Sequence, residues 1–138
     1  AESFTLDHKS QRDIREITFT EYCKTRGIKN IEVFAKGIVS VKNGYNLAKE
    51  VVNKLGKKLP DAFIIASDTL SVGVLQYFNE VGIRVPKDTA IISINNSDVV
   101  KYVSPPLTSY NIDQIALSKL AIPFYLCELL TQSYRRCI

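Results

Sequence analysis

Two polar pairs stand directly after two apolar runs: Ser67-Asp68 follows Ala62 to Ala66, and Asn95-Asn96 follows Ala90 to Ile94. A carboxylate, a hydroxyl and two amides can hydrogen-bond a small polar ligand, but they do not make a nucleophile with an oriented base. Arg15 is a further candidate. Its guanidinium is a planar fork suited to ligand hydroxyls, and it suits equally a surface ion pair with neighbouring Asp13 or Glu16. Asp68 also has two readings, as a helix cap alone or as a cap that meets ligand.

Conversion of a ligand is not indicated. The chain has one histidine, His8, close to Ala1, which leaves a catalytic histidine with an oriented partner without support. Cys23, Cys127 and Cys137 are odd in number and share no CxxC spacing, so neither a disulfide framework nor a zinc site is suggested and a reducing, cytoplasmic setting is expected. GxGxxG, GxxxxGK[ST], HExxH and GxSxG are all absent, and no cofactor is expected. Asp61 and Asp68 flank one apolar run without any sign that they converge as a glycosidase pair.

The candidate groups depend on the elements between them. From Leu59 to Asn96 the chain reads as strand, helix, strand: an apolar run, a helical pattern over Leu70 to Val81, a break at Gly82 and Pro86, and a second apolar run. In such a unit the strands are usually parallel, so both carboxyl ends share one sheet edge, where open α/β sheets bind small molecules. The Leu70 to Val81 helix carries apolar residues on more than one face, which implies a partner surface beyond the sheet.

Upstream, Ile14, Ile17, Tyr22 and Cys23 sit near helical spacing from about Gln11 to Arg26, ahead of Gly27. Ile31 to Phe34 reads as a short strand interrupted by Glu32. The loop KGIVSVKNGY then leads into a helix from about Val41 to Leu55, the most periodic of the chain, ended by Gly56. Downstream, a short helical turn is expected over Asp98 to Val103, and Ser104-Pro105-Pro106 stops pairing until Leu107 to Ile112. The alternation predicts an α/β fold with an open, mostly parallel sheet and helices on both faces.

At 138 residues the chain is about one domain long, with 46% hydrophobic and 23% charged residues. Its +4 charge is dispersed; Lys57-Lys58 and Arg135-Arg136 are only pairs, too short for a nucleic-acid-binding arm. No apolar run reaches membrane-spanning length and no signal peptide is evident. The first ten residues announce no domain edge, so a fragment of a larger fold is expected. Asp113 is a good N-cap for a helix running to about Leu130 that is apolar almost all round, with Pro123 expected to kink it. Such a helix needs cover from the rest of a parent protein or from another copy.

The segments PDAFIIASDTLSVGVLQYFNEVGIRVPKDTAIISINN and YVSPPLTSYNID resemble the ligand-binding domain of the LacI/GalR family of bacterial sugar-responsive transcription repressors. DIREITFTEY resembles that family's Arg-x-x-Gly-Phe segment, and SVKNGY its loop before a Gly-Tyr helix; the similarity runs from about Asp13 to Leu130. Within the family, DIREITFTEY with ISINN looks most like repressors of β-galactoside operons.

The resemblance implies a periplasmic-binding-protein-like lobe, incomplete here, whose ligand is a small sugar. Carried over by position, Arg15 matches the arginine that grips sugar hydroxyls, Asp68 or Ser67 the strand-end contact, and Asn95 an acidic residue that accepts from the ligand. Val39 falls where the family often has an aromatic platform, and Thr18 where it has glycine. Residues 1–109 correspond to the C-terminal lobe, with a truncated start, and 110–138 to a crossover strand and helix of an absent N-terminal lobe. A homodimer contact through Leu70, Val74, Tyr77, Phe78 and Val103 is implied, and operator DNA would be met only by a headpiece absent from this chain. The alternative is a sugar-binding protein of a transport system, which shares the fold; residues upstream of Ala1 would discriminate, as a helix-turn-helix or a signal peptide.

Overall fold

The computed structural model describes residues 13–56 and 58–123. His8, Cys127, Cys137, Lys57 and the far part of the expected C-terminal helix lie outside them. The elements in order are α1 (Ile14–Thr25), α2 (Val41–Leu55), β1 (Ala62–Ile64), α3 (Asp68–Glu80), β2 (Ala90–Asn95), a 3-10 turn (Asp98–Lys101) and β3 (Thr108–Asn111). Residues 114–123 are helical as well.

The helices start where short polar side chains satisfy free amides. Asp13 accepts from the Arg15 amide at α1, Ser40 from the Asn43 amide at α2, and Asp113 from the Ala116 amide, at 2.8 Å, before the last helix. α2 ends at Gly56, whose φ of +58° suits a residue without a Cβ.

β1, β2 and β3 form one parallel sheet in that order, so the alternation does produce an α/β fold with an open parallel sheet. Phe63 lies beside Ile91 and Ser93 beside Ser109 on one face; Ile64 lies beside Ile92 and Ile94 beside Tyr110 on the other. α3 packs on the first face, and α2 packs on α3. Ala48, Val74, Leu75, Tyr77, Phe78 and Ile91 make the core between these layers, with Phe63 and Phe78 rings 5.7 Å apart. The second face is not covered to the same degree: Ile64 is 56% exposed and Tyr110 70%. The last helix also shows Ile115, Leu117, Leu120 and Ile122 to solvent.

Three expectations change. The expected strand over residues 31–34 does not form, and the outer side of β1 carries no paired strand among the described residues. That segment instead contacts α2 through side chains, with Glu32 paired to Lys54 at 2.7 Å and Lys54 lying 5.1 Å above the Phe34 ring. The second apolar face of α3 meets α2 of the same chain rather than another copy. Val74, Tyr77 and Phe78 are buried in the core, and Leu70 and Val103 are half-buried, so these five do not form an open contact face.

The third change concerns Asp68. Ser67, not Asp68, caps α3: the Ser67 Oγ accepts from the Thr69 amide at 3.2 Å, and the Asp68 side chain turns inward.

Candidate functional site

Close contact between α2 and α3 sets where the site's loops lie. Gly44 and Gly73 let the two backbones touch in their N-terminal halves: a Cβ on Gly44 would meet the Leu70 carbonyl oxygen at 2.1 Å. Val41 thereby lies beside Gly73 and Leu70 beside Gly44, and Val39 precedes α2 by two residues. Val39 is 46% exposed, available but without aromatic surface.

Arg15 reaches the same edge from α1. Its Nη1 donates to the Ala66 carbonyl oxygen at 2.8 Å, just past the end of β1. Its Nε and Nη2 grip Asp13 as a fork, at 2.9 and 2.6 Å. The ion-pair reading of Arg15 holds, with Asp13 as the partner, and the same guanidinium stands against the strand end. The Asp13 carboxyl is held down to about 2 by the Arg15 hydrogen bonds and charge, which outweigh partial burial.

At the next strand end, β2 leaves the sheet through Asn95 and Asn96, with φ of +112° and +54°. Two consecutive non-glycine residues in the left-handed region mark a strained turn held by its surroundings. Asn95 is in register with Asn111 at the end of β3, and Asn96 Nδ2 donates to Asn111 Oδ1 at 3.3 Å. The Asn96 amide donates to Ser109 Oγ at 2.9 Å.

Asp68 lies behind this turn, 1% exposed. Its Oδ1 accepts from the hydroxyls of Ser93 at 2.5 Å and Ser109 at 2.7 Å, and its Oδ2 from the Ser97 amide at 2.7 Å and the Ser97 hydroxyl at 2.8 Å. Burial pushes its pKa up, but the hydrogen bonds from Ser93, Ser109 and Ser97 prevail and hold it below the ordinary carboxylate value. Ser71 Oγ extends the network, 2.9 Å from Ser93 Oγ and 3.0 Å from the Ser67 carbonyl oxygen.

Of the expected site residues, Arg15, Ser67 and Asn95 stand at the carboxyl ends of β1 and β2, Val39 precedes α2, and Asp68 is buried with both oxygens engaged. Ser93, Ser97, Ser109 and Asn111 were missed. The usable signal was the alternation in AIISINN, which turns Ser93 inward beside Ile91; a polar residue at an inward strand position must have a partner. The arrangement offers hydrogen-bonding groups at strand ends, and among the described residues no group of three His, Cys, Asp or Glu could hold a metal.

Arg15 and the strained Asn pair stand at the carboxyl edge of an open parallel sheet, the edge at which such folds take small ligands. The periplasmic binding protein-like domain family matches residues 4–132, and the chain belongs to that family. Its similarity is to the ligand-binding domain of LacI/GalR-type transcriptional regulators. HTH-type transcriptional regulator LacR of Lactobacillus helveticus is 58% identical over 116 residues, covering 84% of this chain and 35% of the relative. GanR of Bacillus subtilis (strain 168) is 41% identical over 132 residues, 95% of this chain and 39% of the relative. The chain thus spans well under half the length of these relatives.

Among solved structures, the transcription regulator CcpA of Lactococcus lactis superposes with a TM-score of 0.72 at 29% identity, over 85% of this chain and 42% of that one. A LacI family regulator from Arthrobacter sp. FB24 in complex with lactose has a TM-score of 0.74 at 20% identity, covering 92% of this chain and 45% of that chain, which shows the shared fold. These relatives are transcriptional regulators rather than enzymes, and they do not favour the transport reading. Among the described residues no helix is long and apolar enough to cross a membrane.

Proposed function

We propose that this chain is the effector-sensing lobe of a sugar-responsive transcriptional repressor acting in the cytoplasm. The observation that supports the reading is that Arg15, on the Ala66 carbonyl past β1, and the left-handed Asn95 turn past β2 stand at the carboxyl ends of neighbouring parallel strands. Arg15 and Asn95 are the groups assigned to the sugar hydroxyls, with Asn111 beside Asn95 and Val39 supplying apolar contact. Ser67 and Asp68 support the edge from below. A galactoside is the first ligand to try, since DIREITFTEY and ISINN resemble repressors of β-galactoside operons.

In this reading residues 1–109 form one lobe and 110–138 cross into a second lobe; the uncovered Ile115, Leu117, Leu120 and Ile122 support that assignment. Ligand held between two lobes favours a closed arrangement, and that shift of population is relayed to a DNA-binding headpiece in the whole protein. Self-association as a homodimer belongs to the same reading and uses surfaces other than the buried side chains of α3.

Calorimetry of the full-length protein with lactose and other β-galactosides tests this. Saturable binding is expected, weakened about tenfold or more in Arg15→Ala, the cost of a lost charged hydrogen bond. Binding by no sugar, or equal binding by Arg15→Ala, would sink the reading.

A further inference from the structure

We propose that Asp68 is the positioning residue of the strand-end turn: it holds Asn95 in its ligand-facing geometry without itself touching ligand. The inference rests on the sugar-binding reading above and deepens it. Asp68 is 1% exposed and its four acceptor contacts are all taken by this chain, from Ser93 on β2, Ser97 after the turn and Ser109 on β3. With four donors on its two oxygens and almost no exposed surface, the carboxylate has no free acceptor to offer a sugar hydroxyl.

The same contacts fix the backbone on both sides of Asn96. The Ser97 amide is bound to Asp68 directly, and the Asn96 amide is bound to Ser109 Oγ, whose own proton goes to Asp68. A left-handed pair at Asn95 and Asn96 persists only where the surroundings over-determine it. Here one carboxylate does so for both amides, and it sits in the first turn of α3, where the helix dipole favours a negative charge. The direction in which Asn95 leaves β2 is therefore set by Asp68.

The test uses the full-length protein and the variants Asp68→Asn, Ser109→Ala and Asn95→Ala. Amide hydrogen exchange is read at Asn96 and Ser97, and lactose affinity by calorimetry. Asp68→Asn keeps the size but puts a donor where acceptors are needed; exchange at both amides should rise by about tenfold or more, while amides in α2 stay unchanged. Lactose affinity should fall about tenfold in Asp68→Asn, yet no further than about twofold when Asp68→Asn is added to Asn95→Ala, because the effect runs through Asn95. Ser109→Ala, which leaves the charge three contacts, should raise exchange at Asn96 and guards against a misfolded Asp68 variant. Unchanged exchange at Asn96 and Ser97 would overturn the proposal, as would a full additive loss of affinity in the double variant. Faster exchange in a protein that binds no lactose would leave the positioning role standing and count against the galactoside reading alone.

Discussion

Gly44 and Gly73 face each other's helix backbone across the α2–α3 crossing: a Cβ on Gly73 would lie 2.0 Å from the Val41 carbonyl oxygen, and one on Gly44 2.1 Å from that of Leu70. Neither obstacle is a side chain that can swing away. Alanine at either position gains up to about 1 kcal/mol in helix propensity, while overpacking costs about 1–3 kcal/mol and often more against fixed backbone. Gly44→Ala and Gly73→Ala should each lower the urea midpoint, by a net destabilisation of about 2 kcal/mol. An unchanged midpoint would mean that the helices do not touch as described.

The α3 core gives a second prediction. Phe78 is 1% exposed and packs on Phe63, so Phe78→Ala should cost about 3–5 kcal/mol, the usual range for emptying an aromatic core site. The loss should be the same at every protein concentration. A destabilisation that appears only at high concentration would instead put Phe78 in a contact between copies.

A third prediction concerns acid. Asp13 has its folded pKa depressed from 3.8 to about 2 by Arg15. The folded state therefore binds fewer protons than the unfolded chain across that window, and the ion pair's contribution is complete above the unfolded pKa and lost as pH falls through about 2. Arg15 is 43% exposed, so the contribution is screened and should stay within about 1 kcal/mol. Thermal melts from pH 5 to about pH 2 should show Asp13→Asn and the unaltered protein converging at the acid end. A difference that grows on acidification would refute the sign.

The turn after β2 gives a fourth. Asn96, with φ of +54°, occupies a conformation that asparagine and glycine tolerate and β-branched residues do not. Asn96→Gly should leave stability within about 1 kcal/mol, whereas Asn96→Val should cost about 1–2 kcal/mol. Equal stabilities in denaturant titration would argue against a left-handed turn.

Much of the fold was legible because it rests on local patterns. The i, i+4, i+7 spacing of α2 gave its limits of Val41 and Leu55, and the apolar runs gave β1 and β2 with polar ends at one edge. Ile31 to Phe34 is not a strand; its Glu32 and Phe34 side chains engage Lys54 of α2, the Glu32 contact across 22 residues, which no local pattern records. The two apolar faces of α3 point to two partners, the second of which is α2 of the same chain and not the expected second copy. Which partners was beyond the sequence, since the glycines that admit α2 look like ordinary helix glycines until the two backbones meet.

Taken alone, the sequence determined the order of elements, the edge of the sheet where polar groups gather and the family resemblance, all consequences of periodicity and motif. Only the tertiary structure decided what each polar group does there. Asp68 and Asn95 look alike in sequence, a polar residue after an apolar run. One is enclosed by Ser93, Ser97 and Ser109 from distant parts of the chain, and the other stands on the strained turn those contacts hold. The difference comes from burial and from contacts across 25 to 41 residues, which no local pattern records.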